Sequence, residues 1–464
     1  NLNENKLDVP IVSIAIYDNH IEKNGWTTLS LMTSDVVPDK YQAYWAGFLE
    51  TNITYELTNA SFENSVAGDM VYTISSGVNL LILGLCPEPL TPQCKKLKAY
   101  LSENMEYVIM QYLTLGGNDE FWYQVGLQMW QLKGMSDAYR HIFVSDASTL
   151  TDDYLLSLKD DVLGVYLLQL SGDLSEILKA LALPELINHV NQFGVPTVSS
   201  PSCSALIKLI RGDVYLSHVT WSPYSMMLRV LKHYNFPWKV NGKDKKKIPG
   251  YAITFSSYPS VISSVDDFYI TSAKLVSHEY KLLLKKAMRA RSCVIRFILC
   301  FLSTKVSIET TIGNSNEELW RIVRNGASNS VLEPFRVTVA NRMAQNGAEW
   351  VSYFKYQNSG TGLVFDADVT DVLKRQTYWA SYNLPLMCPA LFCSNYPTAQ
   401  MNMLATSGPT YDNVPPFQWS KIPVKVPTPR MHPDKWMFTP IVTDFTEYLG
   451  RTLVPKCPKL ISVF

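Results

Sequence analysis

The stretch that decides the fold is CSALIKLIRGDVYLSHVTW, residues 203–221. Apolar and polar residues alternate on both sides of its Arg-Gly-Asp turn, a pattern that predicts a β-hairpin. If Ile210 pairs with Asp213, Cys203 and His218 share one face as diagonal neighbours at ~7–8 Å, whereas a one-residue shift separates them. The residues alone leave two interpretations open: a buried structural cysteine near an unrelated histidine, or a nucleophile near a proton acceptor.

Hydrophobic spacing predicts the elements on both sides of this hairpin. Alternation predicts strands within residues 10–32, 251–255 and 307–311. Apolar residues at i, i+3 and i+4 predict helices within residues 94–112, 121–132 and 173–183. Ser222-Pro223 predicts the start of a further helix, with Val230, Leu231 and Tyr234 on its buried face. Helices followed by short strands indicate an α+β chain in which helical layers pack on antiparallel sheets.

Composition excludes several classes of protein. The 464 residues include 41 Lys+Arg and 41 Asp+Glu, so the formal net charge is zero. A general nucleic-acid binder or a polybasic membrane anchor carries a basic excess, so we expect no nucleic-acid partner. No stretch reaches the ~18 to 20 apolar residues of a membrane span, so we expect no transmembrane segment.

Three features concern secretion and processing. The chain opens at Asn1 on a polar run, a start typical of a chain whose leader has been removed. Sequons at Asn52 and Asn59 fit a secreted glycoprotein. Cys86 and Cys94 flank a proline-rich turn, and this stiffened spacing favours a small disulfide loop in an oxidising compartment over two ordinary thiols.

Common catalytic signatures are absent from the sequence. It contains no GxSxG elbow, no HExxH, no P-loop and no GxGxxG. None of the eight cysteines forms a CxxC pair, and no histidine lies at the spacing of a zinc finger. We therefore expect neither a metal site nor a cofactor.

Several blocks of sequence, in order, resemble the phospholipase B-like (lamina-ancestor) family. The hairpin itself is one of them. The others are MLRVLK (227–232), FSSYP (255–259), DDFY (266–269), ETTIGN (309–314), VANR (339–342), NSGT (358–361), YWASYN (378–383) and SGPTYDNVPPFQWS (407–420). Weaker similarities in the amino-terminal half are Gly25-Trp26, residues 132–134 and LQLSGD (168–173). The forms ETTIGN and PPFQWS are closer to the second, lysosomal branch of this family.

The resemblance implies an N-terminal-nucleophile hydrolase, built as a four-layer αββα sandwich. Such enzymes are made as inactive single chains that cleave themselves. Here the scissile bond would join Ser202 to Cys203. Cleavage would give an amino-terminal fragment, residues 1–202, that stays bound to a catalytic fragment, residues 203–464.

The resemblance also implies the roles of four residues. Cys203 would be the nucleophile, with its freed α-amino group as the base, and His218 and Trp221 would shape the site. Asn383 would donate to the oxyanion; the alternative is a turn residue before Leu-Pro, and the surrounding YWASYN block favours the functional role. A thiol is intrinsically nucleophilic, and an α-amino group with a pKa near ~8 can accept its proton.

The expected function is hydrolysis of acyl bonds in a lysosomal or secreted protein. The substrate would be a phospholipid ester or a related lipid amide. The alternative is an inactive glycoprotein that keeps the fold for binding, because Thr398 stands where the family has an active-site arginine. A papain-like protease is disfavoured because its signature around the cysteine is missing. Residues 278–307 interrupt a family block, and we expect this insertion to loop out at the surface.

Overall fold

The computed structural model describes residues 11–67, 85–86, 89–187, 202–210, 213–264, 266, 268–273, 295–300, 305–310, 327–359, 378–381, 390–393, 403–409, 411, 414–422, 428–443, 445 and 461–463. The helices are α1 Ile21–Asn24, α2 Asp39–Ile53, α3 Tyr55–Phe62, α4 Pro92–Leu115, α5 Glu120–Tyr139, α6 Asp152–Leu156, α7 Val165–Gln169, α8 Leu174–Ala180, α9 Pro184–Ile187, α10 Glu333–Met343 and α11 Gly347–Lys355. The strands are β1 Ser13–His20, β2 Trp26–Thr33, β3 Ser202–Ile210, β4 Asp213–Trp221, β5 Val230–Asn235, β6 Ala252–Ser257, β7 Phe268–Thr271, β8 Ile295–Cys300, β9 Lys305–Thr310, β10 Tyr378–Ser381, β11 Ala390–Cys393, β12 Leu404–Thr406, β13 Phe417–Gln418, β14 Lys435–Trp436, β15 Ile441–Val442 and β16 Ile461–Val463.

The described strands form two large sheets and a two-stranded sheet, β13-β14. The "mixed sheet" has the order β16-β1-β2-β5-β6-β7-β9-β8, and the "hairpin sheet" has the order β10-β3-β4-β11-β12-β15. The pairing of β2 with β5 is parallel, and the remaining pairings in the mixed sheet are antiparallel. The chain is therefore α+β, with a central mixed sheet and helices.

Side chains on the two faces of the mixed sheet show how the layers are stacked. Lys232 and Tyr234 on β5 both bond to Glu50 of α2, so this face is covered by helices. Residues of opposite parity point the other way. Phe268 of β7 is on that second face, and its ring centroid lies 6.5 Å from that of His218 on β4. The hairpin sheet therefore packs on the face opposite the helices.

A close crossing of α2 and α5 forms the centre of the helical layer. A Cβ placed on Gly134 would lie 1.9 Å from the carbonyl oxygen of Tyr44, and one on Gly47 would lie 1.8 Å from that of Gln131. Each helix therefore presents a glycine to the backbone of the other. Only residues without a side chain allow this approach.

A buried ion pair joins the helical layer to the mixed sheet. The ammonium of Lys232 donates to Glu50 Oε1 at 2.6 Å and to the carbonyl of Val261 at 2.6 Å, and the Tyr234 hydroxyl donates to the other oxygen of Glu50. Lys232 and Glu50 are fully buried. Burial lowers the pKa of Lys232 and the Glu50 carboxylate opposes that change. Hydrogen bonds to each charged group are what make such a buried pair tolerable.

Most of the elements expected from hydrophobic spacing are confirmed. Helices α4 and α5 cover the first two periodic segments, α8 lies within the third, and β1, β2, β6 and β9 overlap the predicted strands. The helix predicted from Ser222-Pro223 is wrong. A single 3₁₀ turn, Tyr224–Met226, is followed by strand β5. Both faces of β5 are buried, so its apolar residues show no simple alternation, and the spacing of Val230, Leu231 and Tyr234 imitates a helix.

The expectation that residues 278–307 loop out is corrected in part. Residues 295–300 of this segment form β8, an edge strand of the mixed sheet that pairs with β9. Residues 278–294 and 301–304 lie outside the described residues. The short, mostly apolar run IRFILC suffices for an edge strand, which needs pairing on one side only.

We predict that Gly134→Ala destabilises the protein by about 2 kcal/mol, because overpacking of the helix crossing exceeds the gain in helix propensity. The added Cβ would meet the Tyr44 carbonyl, so α2 and α5 must separate. Chemical denaturation measures the free energy of unfolding.

Gly347→Ala is the matched control. A Cβ on this helical glycine has nothing within 4 Å, so we expect no loss, or a gain of up to about 1 kcal/mol. Equal effects of the two substitutions would show that the close crossing does not limit stability.

Candidate active site

The predicted hairpin is present, and it pairs in the register that places Cys203 and His218 on one face. Ile210 lies opposite Asp213, Cys203 opposite Thr220 and Ala205 opposite His218. Cys203 and His218 are therefore diagonal neighbours on one face of the hairpin sheet. The hairpin prediction is confirmed, and of the two registers that the sequence left open the structure has the one that keeps these residues together on one face.

The shared face is buried between the two sheets. Cys203 is 1% exposed and His218 is 0% exposed. The contact of His218 with Phe268 shows that this face is turned toward the mixed sheet. A thiol near the start of β3 and an imidazole in the second half of β4 thus lie on the same buried face.

A second buried group adjoins the hairpin, and the sequence analysis missed it. Thr220, opposite Cys203, donates to the carbonyl of Asp266 at 3.5 Å. The Asp266 carboxylate pairs with Arg229, which is 1% exposed. The guanidinium of Arg229 lies 4.2 Å from the centre of the Tyr258 ring. Asp266 and Arg229 are 37 residues apart, so no local sequence signal joins them.

Arg229 fastens the loop that follows the hairpin. Its guanidinium donates to Ser222 Oγ at 2.6 Å and to the carbonyl of Met226 at 3.1 Å. Its own carbonyl accepts from the backbone N–H and the hydroxyl of Thr27, at 3.1 and 3.0 Å. Arg229 therefore links the end of β4, the loop before β7 and the start of β2.

A second histidine lies between the sheets. His233 on β5 pairs with Thr254, and Thr254 pairs with Ile270 on the face that also carries Phe268. The ring of His233 bonds through Nδ1 to Thr254 Oγ1 at 2.8 Å and stacks on Phe445. Burial lowers the pKa of His233 to about 4.

An aromatic cluster supports the loop after the hairpin. It consists of Met227, Trp419, Trp436 and Phe438. Tyr224 in the 3₁₀ turn packs on Phe417, with ring centroids 4.2 Å apart. The PPFQWS block thus supplies packing behind the loop.

The remaining predicted site residues are only partly described. Trp221 pairs with Ser202 at the start of the hairpin, but the side chains of both lie outside the described residues. Asn383 and Thr398 also lie outside them. The nearest described strand, β10, ends with Ser381 paired to Ala205.

The cysteine and sequon predictions have different outcomes. Cys86 and Cys94 form a disulfide with Cα atoms 5.5 Å apart, so that prediction is confirmed. Asn52 is exposed on α2. Asn59 is 3% exposed, and its amide bonds to Glu63 and to the Tyr139 hydroxyl. The folded chain has room for a glycan on Asn52 and none on Asn59.

The described residues contain neither a cluster of metal ligands nor a membrane-spanning helix. Among these residues, no three His, Cys, Asp or Glu side chains converge as metal ligands would. In the same part of the chain, no helix is both long and apolar enough to cross a membrane.

Comparison with known proteins gives one consistent result. The family model described as "Phospholipase B" matches residues 13–288 and 297–364. "Putative phospholipase B-like 2" of Mus musculus is 28% identical, and the match covers 93% of this chain and 84% of that relative. "Putative phospholipase B-like 2" of Homo sapiens is 33% identical, and the match covers 81% of this chain and 59% of that relative. "Phospholipase B-like protein B" of Dictyostelium discoideum is 27% identical over 80% and 59%. Cys203, His218 and Trp221 lie within the matched residues, whereas Asn383 follows them.

We predict that His233 makes the protein less stable as the pH falls. Its pKa is 6.5 in the unfolded chain and about 4 in the folded one, so the unfolded state binds the proton first. Stability is lost as the pH falls from about 6.5 toward 4. Between pH 6.5 and 4.5 wild type should lose about 2 kcal/mol more than His233→Asn, measured by denaturation at each pH.

His141→Asn is the control for this prediction. His141 is exposed and has a φ of 56°, a conformation that asparagine tolerates. Its substitution should leave the pH slope of wild type unchanged. An unchanged slope for His233→Asn as well would contradict the assignment.

Proposed function

Because the chain belongs to the phospholipase B-like family, we propose that it is a hydrolase of acyl bonds in phospholipids. It would act on an ester bond, or on the amide bond of a related lipid, through an acyl-enzyme on Cys203. The single observation that carries this proposal is the buried face that Cys203 shares with His218. Covalent acyl transfer requires a nucleophile and a nearby group that accepts its proton, and both lie on this face.

We propose that the chain first cleaves itself before Cys203. The Cys203 thiol loses its proton and attacks the carbonyl carbon of Ser202. The C–N bond breaks, and the Ser202 acyl group passes to sulfur while the nitrogen becomes a free amine. Water then hydrolyses the thioester, which releases the Ser202 carboxylate and restores the thiol.

His218 would accept the thiol proton in this first step. The α-amino group of Cys203 is still part of a peptide bond and cannot act as a base. Within the described residues, His218 is the titratable side chain on the cysteine's face of the hairpin. After cleavage the amino group of Cys203 takes over as base, and a positioned base is worth roughly 10²–10⁴ in rate.

Lipid hydrolysis would then repeat the same chemistry. The thiolate attacks the acyl carbonyl, the alcohol of the lipid leaves with a proton, and a thioester remains on Cys203. Water releases the fatty acid. Asn383 is the proposed oxyanion donor, worth on the order of 3 kcal/mol. In the sequence, Asn383 comes two residues after Ser381. Ser381 pairs with Ala205 of β3, and Ala205 comes two residues after Cys203.

The layered fold supports an N-terminal-nucleophile hydrolase. The described residues supply a helical layer, the mixed sheet and the hairpin sheet in that order, with the thiol between the sheets. We propose that a second helical layer on the outer face of the hairpin sheet completes the αββα sandwich.

We propose that residues 1–202 remain bound to residues 203–464 after cleavage. Strands β1 and β2 lie inside the mixed sheet, where β1 pairs with β16 and β2 pairs with β5. The ion pair of Glu50 with Lys232 joins the same two fragments. Cleavage before Cys203 would break one peptide bond and leave these contacts intact.

A catalytically silent glycoprotein of the same fold is the second candidate. The observation in its favour is Thr398, which stands where the family has an arginine. Both candidates share the proposed lysosomal or secreted location. Hydrolysis of a fluorogenic phospholipid distinguishes them.

We predict that Cys203→Ala gives a folded, uncut chain with no hydrolysis of a fluorogenic phospholipid. Cys203→Ser should cut itself slowly, because a hydroxyl is a weaker nucleophile than a thiol. His218→Ala should slow self-cleavage by about 10² or more while the chain still folds. Denaturing electrophoresis before and after incubation at acid pH measures cleavage.

Ser204→Ala is the matched control, since Ser204 is the next residue and points to the opposite face of β3. It should cut and hydrolyse like wild type. A wild-type chain that hydrolyses lipid while unbroken would contradict the mechanism. Self-cleavage without hydrolysis would favour the silent glycoprotein.

We also predict that the two fragments separate only on denaturation. They should elute from a size-exclusion column as one species of about the mass of the intact chain, 52.5 kDa, and as two species in concentrated guanidinium chloride. The physical reason is that removing β1 and β2 would open the mixed sheet and expose its apolar faces. Separate elution under native conditions would contradict this.

A further inference from the structure

An exposed aromatic side chain packs on α2, the helix that carries one of the two sequons. Phe143, in the loop after α5, is 57% exposed. Its ring packs on Trp45 and Phe48 of α2, with centroid distances of 6.0 and 5.9 Å. A single exposed phenylalanine needs no explanation. Phe143 is of interest because the two rings on which it packs lie on α2, the helix that also carries Asn52.

Asn52 lies on the same stripe of α2 as the two rings. It follows Phe48 by four residues and Trp45 by seven, which is one and two helical turns, or about 6 and 10 Å along the axis. Asn52 is the one residue of α2, described throughout, that is exposed. Because helical side chains lean toward the amino terminus, its amide leans toward the turn of α2 that carries Phe48.

The rest of the sequon belongs to the folded core. Thr54 is buried, and its hydroxyl donates to the carbonyl of Glu50 at 2.7 Å. A transferase must read Asn-Ile-Thr as an extended chain, so the sugar would be attached before α2 packs. Only a glycan that points into solvent then permits folding, a condition that Asn52 meets and the buried Asn59 does not.

We propose that Asn52 carries an N-linked glycan whose first sugar packs on Phe143. The C–H face of a sugar ring is apolar enough to cover an aromatic ring, and its hydroxyl groups stay in water. Trp45 and Phe48 hold the Phe143 ring from below, so the three rings form a platform for the glycan. The inference rests on the secretory route contained in the proposed function, and on neither Cys203 nor the lipid substrate.

The test uses the full chain from a glycosylating secretory host. Peptide mass mapping shows which sequon is occupied, and we expect a glycan on Asn52 alone. Hydroxyl-radical footprinting then measures oxidation of Phe143 with the glycan trimmed to one sugar and in Asn52→Gln. We expect oxidation about two- to threefold lower with the sugar present, because a bulky group covers the ring.

Tyr356 is the internal control in the same footprinting experiment. It is 43% exposed and packs on Phe121, at the other end of the 20-residue helix α5. Its oxidation should not depend on the glycan. Phe143→Ala should leave occupancy of Asn52 unchanged, because the sugar is attached before folding.

Three results would overturn the inference. One is an unmodified Asn52, and another is equal oxidation of Phe143 with and without the sugar. The third is protection of Phe143 in Asn52→Gln by vesicles of phosphatidylcholine with an anionic lipid, which would make the rings a lipid-docking surface. Self-cleavage and hydrolysis, measured on the same samples, report separately on the proposed function.

Discussion

The proposed chemistry of Cys203 and His218 depends on the pairing register of β3 and β4. Side chains of a strand alternate between faces, so a slip of one residue would turn Cys203 or His218 away from the other. With Ile210 opposite Asp213, both side chains are on one face. Because that face is buried between two sheets, a change of register would be costly. Thr220, opposite Cys203, extends this constraint through Asp266 to the buried Arg229.

Self-cleavage before Cys203 is compatible with a stable fold. The proposed scissile bond precedes Cys203 at the edge of the hairpin, while the contacts between the two halves of the chain lie elsewhere. The parallel pairing of β2 with β5 is one of them, and the buried pair of Glu50 with Lys232 is another. Such a pair contributes less to net stability than to holding two elements in one arrangement, because desolvation offsets much of its attraction.

Local patterns predicted much of the architecture. The hairpin and helices α4 and α5 follow from alternation or helical spacing, because each has one buried face, whereas the register of the hairpin was left open by the sequence. Strand β5 was mistaken for a helix because both its faces are buried. The pair of Arg229 with Asp266 could not be found, since it joins loops that only the tertiary fold brings together. The roles of Trp221 and Asn383 came from family resemblance alone, and burial of Asn59 depends on packing against Tyr139.

The central claim is that Cys203 becomes an N-terminal nucleophile and carries the acyl group of the lipid. Mass mapping of the acid-quenched protein, after brief incubation with a phospholipid, tests it most directly. If Cys203 is an N-terminal nucleophile, we expect a peptide that begins at Cys203 and carries one fatty acyl group as a thioester. Hydroxylamine should remove this acyl group. An acyl group on any other residue, or on a peptide that still contains the bond from Ser202 to Cys203, would contradict it.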